Sequence, residues 1–260
     1  MKIKIFQVDA FTDQLFKGNP AAVCPLEAWI PDDLMQKIAF ENNLSETAFF
    51  VKEGNEYQIR WFTPKTEVDL CGHATLASAH VLYRHLGYDK EILFLKSKSG
   101  DLRVRKNEDL LVLDFPAGFQ EPYNLPEHLI EALGAKPIET GHAMDFLLAV
   151  FDSEETVVNM KPDFKKLMNL PFHAVIVTAK GKHVDFVSRM FAPAVGIDED
   201  PVTGSAHTVL TPFWSQRLNK IHLSAWQVSA RGGELSCKMS GDRVEIGGKA
   251  ITYLVGEIEV

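Results

Sequence analysis

The sequence predicts an α+β chain of two similar halves, each rich in strands and each carrying one principal helix. Three observations predict it. Strand-like runs far outnumber helical ones and do not alternate with them as a doubly wound parallel sheet requires. Each half has one long helix-like segment entered from a loop, Ala74 to Leu86 in the first and from about Ser205 in the second. A shift of 132 residues sets Glu67-Val68-Asp69-Leu70-Cys71-Gly72-His73-Ala74 against Glu199-Asp200-Pro201-Val202-Thr203-Gly204-Ser205-Ala206. Only Glu, Gly and Ala coincide, but they do so where each half passes from an acidic loop into its main helix.

Taken in order, Ile3, Ile5, Phe6 and Val8 give an opening strand, and AAVC follows the turn signal Gly18-Asn19-Pro20 as a second. After Pro31 and the possible cap Asp32, the residues Leu34, Met35, Ile38 and Ala39 have helical spacing. TAFFV and YQIRWF read as strands, a loop follows Thr63-Pro64, and the main helix of this half closes at Gly87. ILFLKS, LRVRK and LLVLDF are three more strands, ending at Pro116 before a polar, proline-bearing stretch through Pro126. The second half has a short helix around Leu129 to Leu133, strands at FLLAVF, HAVIVTA and VDFVSRMF, and the helix from Ser205, which Pro212 is expected to kink or shorten. IHLSAWQVSA, ELSCKM, RVEIGG and ITYLVGEIEV finish the chain as strands. The lobes are expected at 1–117 and 118–260, with the last strand a candidate to cross back to the first lobe.

Composition narrows the function classes. The chain has 260 residues, 46% apolar and 24% charged, as an ordinary globular protein should. Its 27 basic and 35 acidic side chains leave a formal charge of −8, which opposes non-specific attraction to nucleic acid or an anionic membrane. No apolar run approaches the roughly 20 residues that span a bilayer, and the opening segment reaches Asp9 before a secretory core develops, so a cytoplasmic location is expected. Cys24, Cys71 and Cys237 are odd in number and widely spaced, which fits reduced thiols rather than a disulfide framework or a zinc site.

The common cofactor signatures are missing from the sequence: there is no GxxxxGK[ST], no GxGxxG, no HExxH and no GxSxG elbow. His73 and His80 share a predicted helix, but no acidic or thiol ligand on it completes a metal set, so no cofactor and no metal are expected. Gly72-His73 and Gly204-Ser205 each open a helix, where free N–H groups and the positive end of the dipole favour anions; either site alone reads first as close packing with serine capping, and it is their pairing that favours a functional reading. Asp198, Glu199 and Asp200 read as solvated loop surface, yet Asp200 lies four residues before Gly204 and could reach the same region. Glu46, between a helix and a strand, reads by itself as a boundary residue.

Four ordered segments, VDAFTDQLFKGNPAAVC, NNLSETAFF, IRWFTPKTEVDLCGHATLASA and GIDEDPVTGSAH, together resemble the phenazine biosynthesis PhzF-like family, itself related to diaminopimelate epimerase. The resemblance runs over essentially the whole chain. It implies two pseudo-symmetric lobes, each a curved, mostly antiparallel sheet around a central helix, with the active site between them and a homodimer as the assembly. It also implies proton transfer: in members that isomerise trans-2,3-dihydro-3-hydroxyanthranilate, the glutamate of the NLSE motif moves the proton, and its counterpart here is Glu46. His73 of the GH motif, with Asp200 and Ser205 of DPVTGSA, corresponds to residues that line the cleft and assist binding and proton transfer. Asn19, Gly72, Thr203 and Gly204 are implied substrate contacts. The related epimerases oppose two cysteines, whereas this chain has Cys71 at the first position and Thr203 at the second, which disfavours a two-thiol racemase.

The resulting expectation is a cofactor-independent isomerase of a small carboxylic acid, with Glu46 removing and returning a proton. Two alternatives stand beside it: an amino or hydroxy acid epimerase using Cys71, and a non-catalytic protein that binds a small molecule in the same cleft.

Overall fold

In a computed structural model that describes residues 1–260, the chain is α+β and divides into two compact units, 1–114 with 247–260, and 115–246. No helix is long and apolar enough to cross a membrane.

In the first unit the strand Lys2–Ala10 lies between two antiparallel neighbours, Asn19–Leu26 and the final strand Ala250–Glu259. Asn19–Leu26 runs parallel to Glu46–Glu53, which pairs antiparallel with Glu56–Phe62. The sheet continues through Ile92–Ser97 and Gly100–Asn107. Alternation sends Ile3, Ile5, Ala22, Cys24, Phe49 and Phe62 to one face, where they pack on Met35, Ile38 and Ala39 of the helix Asp32–Asn42. The other principal helix, Gly72–His85, is buried nearly all round, with Ala74, Ala77, Ser78 and Ala79 among its covered residues. Such small side chains let a sheet approach a helix on several sides at once.

One turn in this unit depends on glycine. Gly18 has φ +64°, and an added Cβ would lie 2.1 Å from the Ala10 carbonyl oxygen. The close approach delivers Asn19, fully buried, opposite Ala10 at the start of its strand.

The second unit is built around the helix Gly204–Leu218. Its sheet runs from Glu139–Ala143 through Phe146–Val150, Ala174–Lys180 and Phe186–Ala192 to His222–Gln227 and Gly233–Ser240, with antiparallel pairs and two parallel ones. Short helices Leu129–Leu133, Glu154–Asn159 and Phe164–Leu167 cover a separate apolar cluster that includes Leu147, Val175 and Phe191.

One expectation is corrected here, and two short helices are added to the elements expected. Of the two effects expected of Pro212, shortening does not occur: the helix continues to Leu218. Proline cannot donate to the carbonyl four residues back, and that carbonyl, Thr208 O, accepts the Gly118 N–H at 3.0 Å instead. The helices at 154–159 and 164–167 escape the periodicity reading because each is about one turn long. They are defined by caps: Ser153 Oγ accepts the Thr156 N–H, and Asp163 Oδ1 accepts the Lys166 N–H.

Candidate active site

Glu46 is the first residue of its strand, and the parallel register places it beside Ala21. Asn19, two residues before Ala21, therefore faces the same side of the sheet. His73 is the second residue of the helix Gly72–His85, and Cys71 is its extended N-cap, with φ −144° and ψ 108°. The helix start brings three side chains into line. His73 Nε2 lies 3.1 Å from Glu46 Oε2, and His73 Nδ1 lies 3.5 Å from Cys71 Sγ. The Glu46 and His73 side chains are only 12% and 6% exposed. The contact lacks the alignment of a hydrogen bond, so Glu46 Oε2 and His73 Nε2 are both buried with hydrogen-bonding capacity to spare. Glu46 is therefore no boundary residue turned to solvent.

The electrostatics follow from burial and neighbours. Burial opposes charge on His73, but the Cys71 sulfur and the Glu46 carboxylate on either side outweigh it and raise its pKa well above the ordinary histidine value. Burial, reinforced by the Glu46 charge, pushes the Cys71 thiol up to about 11, partly countered by His73 and the Ala74 N–H. Glu46, Cys71 and His73 also form a potential ligand group, one atom from each lying within 4.8 Å of the others. This set combines the start of the strand Glu46–Glu53 with the N-terminus of the helix Gly72–His85, and it does not include His80. His80 instead directs Nε2 to Thr252 Oγ1 at 2.9 Å. One ion can take only one ring nitrogen of His73, which here addresses the thiol with Nδ1 and the carboxylate with Nε2. A bridging imidazole of this kind suits proton transfer better than joint ligation.

In the second unit, Asp200 closes the short strand Ile197–Asp200, and Thr203 is the extended N-cap of the helix that opens at Gly204. Thr203 Oγ1 donates to Asp200 Oδ2 at 2.5 Å. Ser205 is the half-buried second residue of the helix, and its carbonyl accepts the Thr208 hydroxyl at 2.7 Å. Neither Cys71 nor Thr203 makes a side-chain cap hydrogen bond to its helix. The motif histidine, His207, is fully buried and donates Nδ1–H to Thr203 O at 2.7 Å. It anchors the helix start.

Sequence reading missed two supports of this turn. Glu199 is not solvated surface: Arg189 grips it with two hydrogen bonds of 2.7 and 2.9 Å and also donates to the carbonyls of Val157 and Met160. Gln227, 1% exposed, binds the 200–203 backbone. A polar residue closing an alternating strand was the sole trace of Gln227 in the sequence. An open hollow of about 500 Å³ lined by Pro122, Tyr123, Asn124, Leu125 and Pro126 contains none of these side chains.

Comparison with known proteins places this geometry. The family described as phenazine biosynthesis-like protein (PhzC-PhzF) matches residues 8–256. The chain belongs to the PhzF family. An uncharacterized isomerase of Pseudomonas aeruginosa is 53% identical over 260 residues, with both chains wholly covered. The human phenazine biosynthesis-like domain-containing protein is 41% identical, with 99% of each chain covered. Among solved structures, a PhzF family protein of Enterococcus faecalis superposes with TM-score 0.98 at 50% identity over the whole of both chains. A hydroxyproline epimerase of Agrobacterium vitis, 10% identical, shares the fold at TM-score 0.63 over 99% of this chain and 92% of that one. The epimerase-like fold expected from the motifs is thus the observed one, and the relatives support an isomerase at the level of class.

Proposed function

We propose that this PhzF-family chain is a cofactor-independent isomerase that moves a proton within a small, cyclic carboxylic acid, with Glu46 as the acid-base group. The observation that carries the proposal is the buried 3.1 Å approach of Glu46 to His73. A carboxyl group at the start of a strand, with an imidazole beside it and unused hydrogen-bonding capacity on both, can take a proton from an activated carbon and return it to another position. His73 stabilises the negative charge that develops on the substrate, as a donor held in place before the reaction begins. For Asn19, Gly72, Asp200, Thr203, Gly204 and Ser205 the proposal keeps the substrate-holding roles implied by the motif match, and for Asp200 and Ser205 the assistance to proton transfer as well.

The test is turnover of a panel of cyclic carboxylic acids, including trans-2,3-dihydro-3-hydroxyanthranilate, followed by ultraviolet absorbance. Glu46→Gln should abolish turnover and spare ligand binding; full activity in that variant removes Glu46 as the proton carrier.

The 3.5 Å contact of Cys71 with His73 favours a second reading, epimerisation with the thiol as the opposing group. Its raised pKa and the threonine at position 203 weigh against it. Reaction in deuterated water separates the two: inversion leaves label at one stereocentre, and a shift moves the double bond and changes the spectrum.

A further inference from the structure

Gln227 closes the strand His222–Gln227, where the parallel register sets it beside Ser188 and its side chain meets the turn before the helix Gly204–Leu218. Its amide is engaged on both ends. Nε2 donates to Asp200 O at 2.7 Å and to Thr203 Oγ1 at 3.1 Å, while Oε1 accepts the Thr203 N–H at 2.8 Å. The reverse amide orientation would set oxygen against the Asp200 carbonyl and NH₂ against the Thr203 N–H, so the network fixes which end is which. A hydroxyl that accepts from Gln227 has its single proton left to give, and that proton goes to Asp200 Oδ2. The direction of the chain is therefore amide to hydroxyl to carboxylate.

We propose that Gln227 is a positioning residue for Asp200: by forcing the Thr203 hydroxyl to donate, it aims the carboxylate and keeps it an acceptor for a substrate ammonium or hydroxyl group. This rests on the substrate-holding role proposed for Asp200. The other charged groups on the turn are accounted for: Glu199 is held by Arg189, Asp198 is exposed, and burial depresses His207 to about 4 so that it is neutral.

The experiment is a carboxyl-carbon NMR titration of Asp200 in protein carrying ¹³C-labelled aspartate, assigned with Asp200→Asn. In Gln227→Glu the introduced carboxyl mimics the amide while protonated. Once ionised it accepts from Thr203 and repels Asp200, so Asp200 should titrate at least about one pH unit higher than in the parent protein. Gln227→Met has nearly the same length and no hydrogen-bonding group. It should raise the Asp200 titration point by a smaller amount and release the Thr203 amide to faster hydrogen exchange. Thermal melts establish that each variant is folded. An Asp200 titration point within about 0.3 units of the parent in both folded variants overturns the proposal. Should both variants unfold, the parent protein decides: protection of the Thr203 amide comparable to the central strands supports the clamp, and exchange within minutes overturns it.

With a turned-over substrate, Gln227→Met should raise KM about tenfold with kcat changed less than about threefold. The NMR result stands or falls independently of turnover. If no acid in the panel is turned over while the Asp200 shift is seen, the isomerase reading fails and the positioning role survives.

Discussion

Replacing His207 by asparagine should remove a defined share of the pH dependence of stability. His207 Nδ1 faces a carbonyl and must carry the proton, so Nε2 bears the lone pair, and that atom is buried with no hydrogen-bond partner. Protonation would create a buried N–H without an acceptor, and burial accordingly depresses the pKa to about 4. An unfolded chain takes up this proton near pH 6.5, and the folded protein resists it until about 4. Its contribution is therefore complete above pH 6.5 and declines as the pH falls from there towards 4. Between pH 7.5 and 5 the decline amounts to about 2 kcal/mol by linkage. His80, also depressed to about 4 by burial, acts in the same direction. His73, with a raised pKa, acts in the opposite one: its contribution is full below the unfolded value and is lost as the pH rises through the folded value. Asparagine keeps an N–H where Nδ1 stands and has no titrating group. Its lost ring lowers stability by an amount that does not vary with pH. Urea unfolding of both proteins at pH 7.5, 6.5 and 5 should show the stability difference shrinking by about 2 kcal/mol towards acid. Parallel curves within about 0.5 kcal/mol would refute the neutral, buried assignment.

Other perturbations follow from the same structure. Gly18→Ala should cost more than about 2 kcal/mol in urea unfolding, because a methyl would meet the Ala10 carbonyl and φ is +64°. Arg189→Met strands Glu199 and two carbonyls, and a loss of about 3–5 kcal/mol is expected from the same measurement. At pH 7.5 Cys71, pushed to about 11 chiefly by burial, should alkylate with iodoacetamide several hundredfold more slowly in the folded protein than a free cysteine. Mass spectrometry of the digested protein reads this, and rapid native labelling would show that the thiolate is already populated.

The parts of this protein legible in the sequence are those specified by local chemistry. Helix starts at Gly72 and Gly204, a glycine-dependent turn before Asn19, and strand alternation from Ile3 onward all depend on residues near one another in the chain. The Glu46–His73 approach was legible only through four ordered motifs, since nothing within NLSE alone separates a boundary glutamate from a buried one. What stayed hidden depends on register between distant segments. Arg189 meets Glu199 across a bulged pairing of neighbouring strands, and Gln227 reaches Thr203 over 24 positions. That the helix runs on past Pro212 was hidden for the same reason, since it depends on the fate of Thr208 O, whose partner is Gly118, ninety residues back.

The two main helices share an opening device whose chemistry then diverges. In each, an extended N-cap residue is followed by a side chain at the fourth position that bonds back to the N-cap carbonyl: Thr75 Oγ1 to Cys71 O at 2.6 Å, and His207 Nδ1 to Thr203 O at 2.7 Å. The shift of 132 residues relates both members of each pair, so the backbone geometry is repeated although the residues are not. At position 71 the N-cap side chain is a sulfur beside the His73 imidazole, whose other nitrogen faces Glu46. At position 203 it is a hydroxyl already committed to Asp200 and fixed by Gln227. A hydroxyl whose proton is committed to a carboxylate, and which is a far weaker acid than a thiol, is poorly suited to exchange protons with carbon. Each half thus keeps the same loop-to-helix opening, while the group proposed as the proton carrier, Glu46, meets only the first of them. That asymmetry favours one base working on one face over two opposed groups.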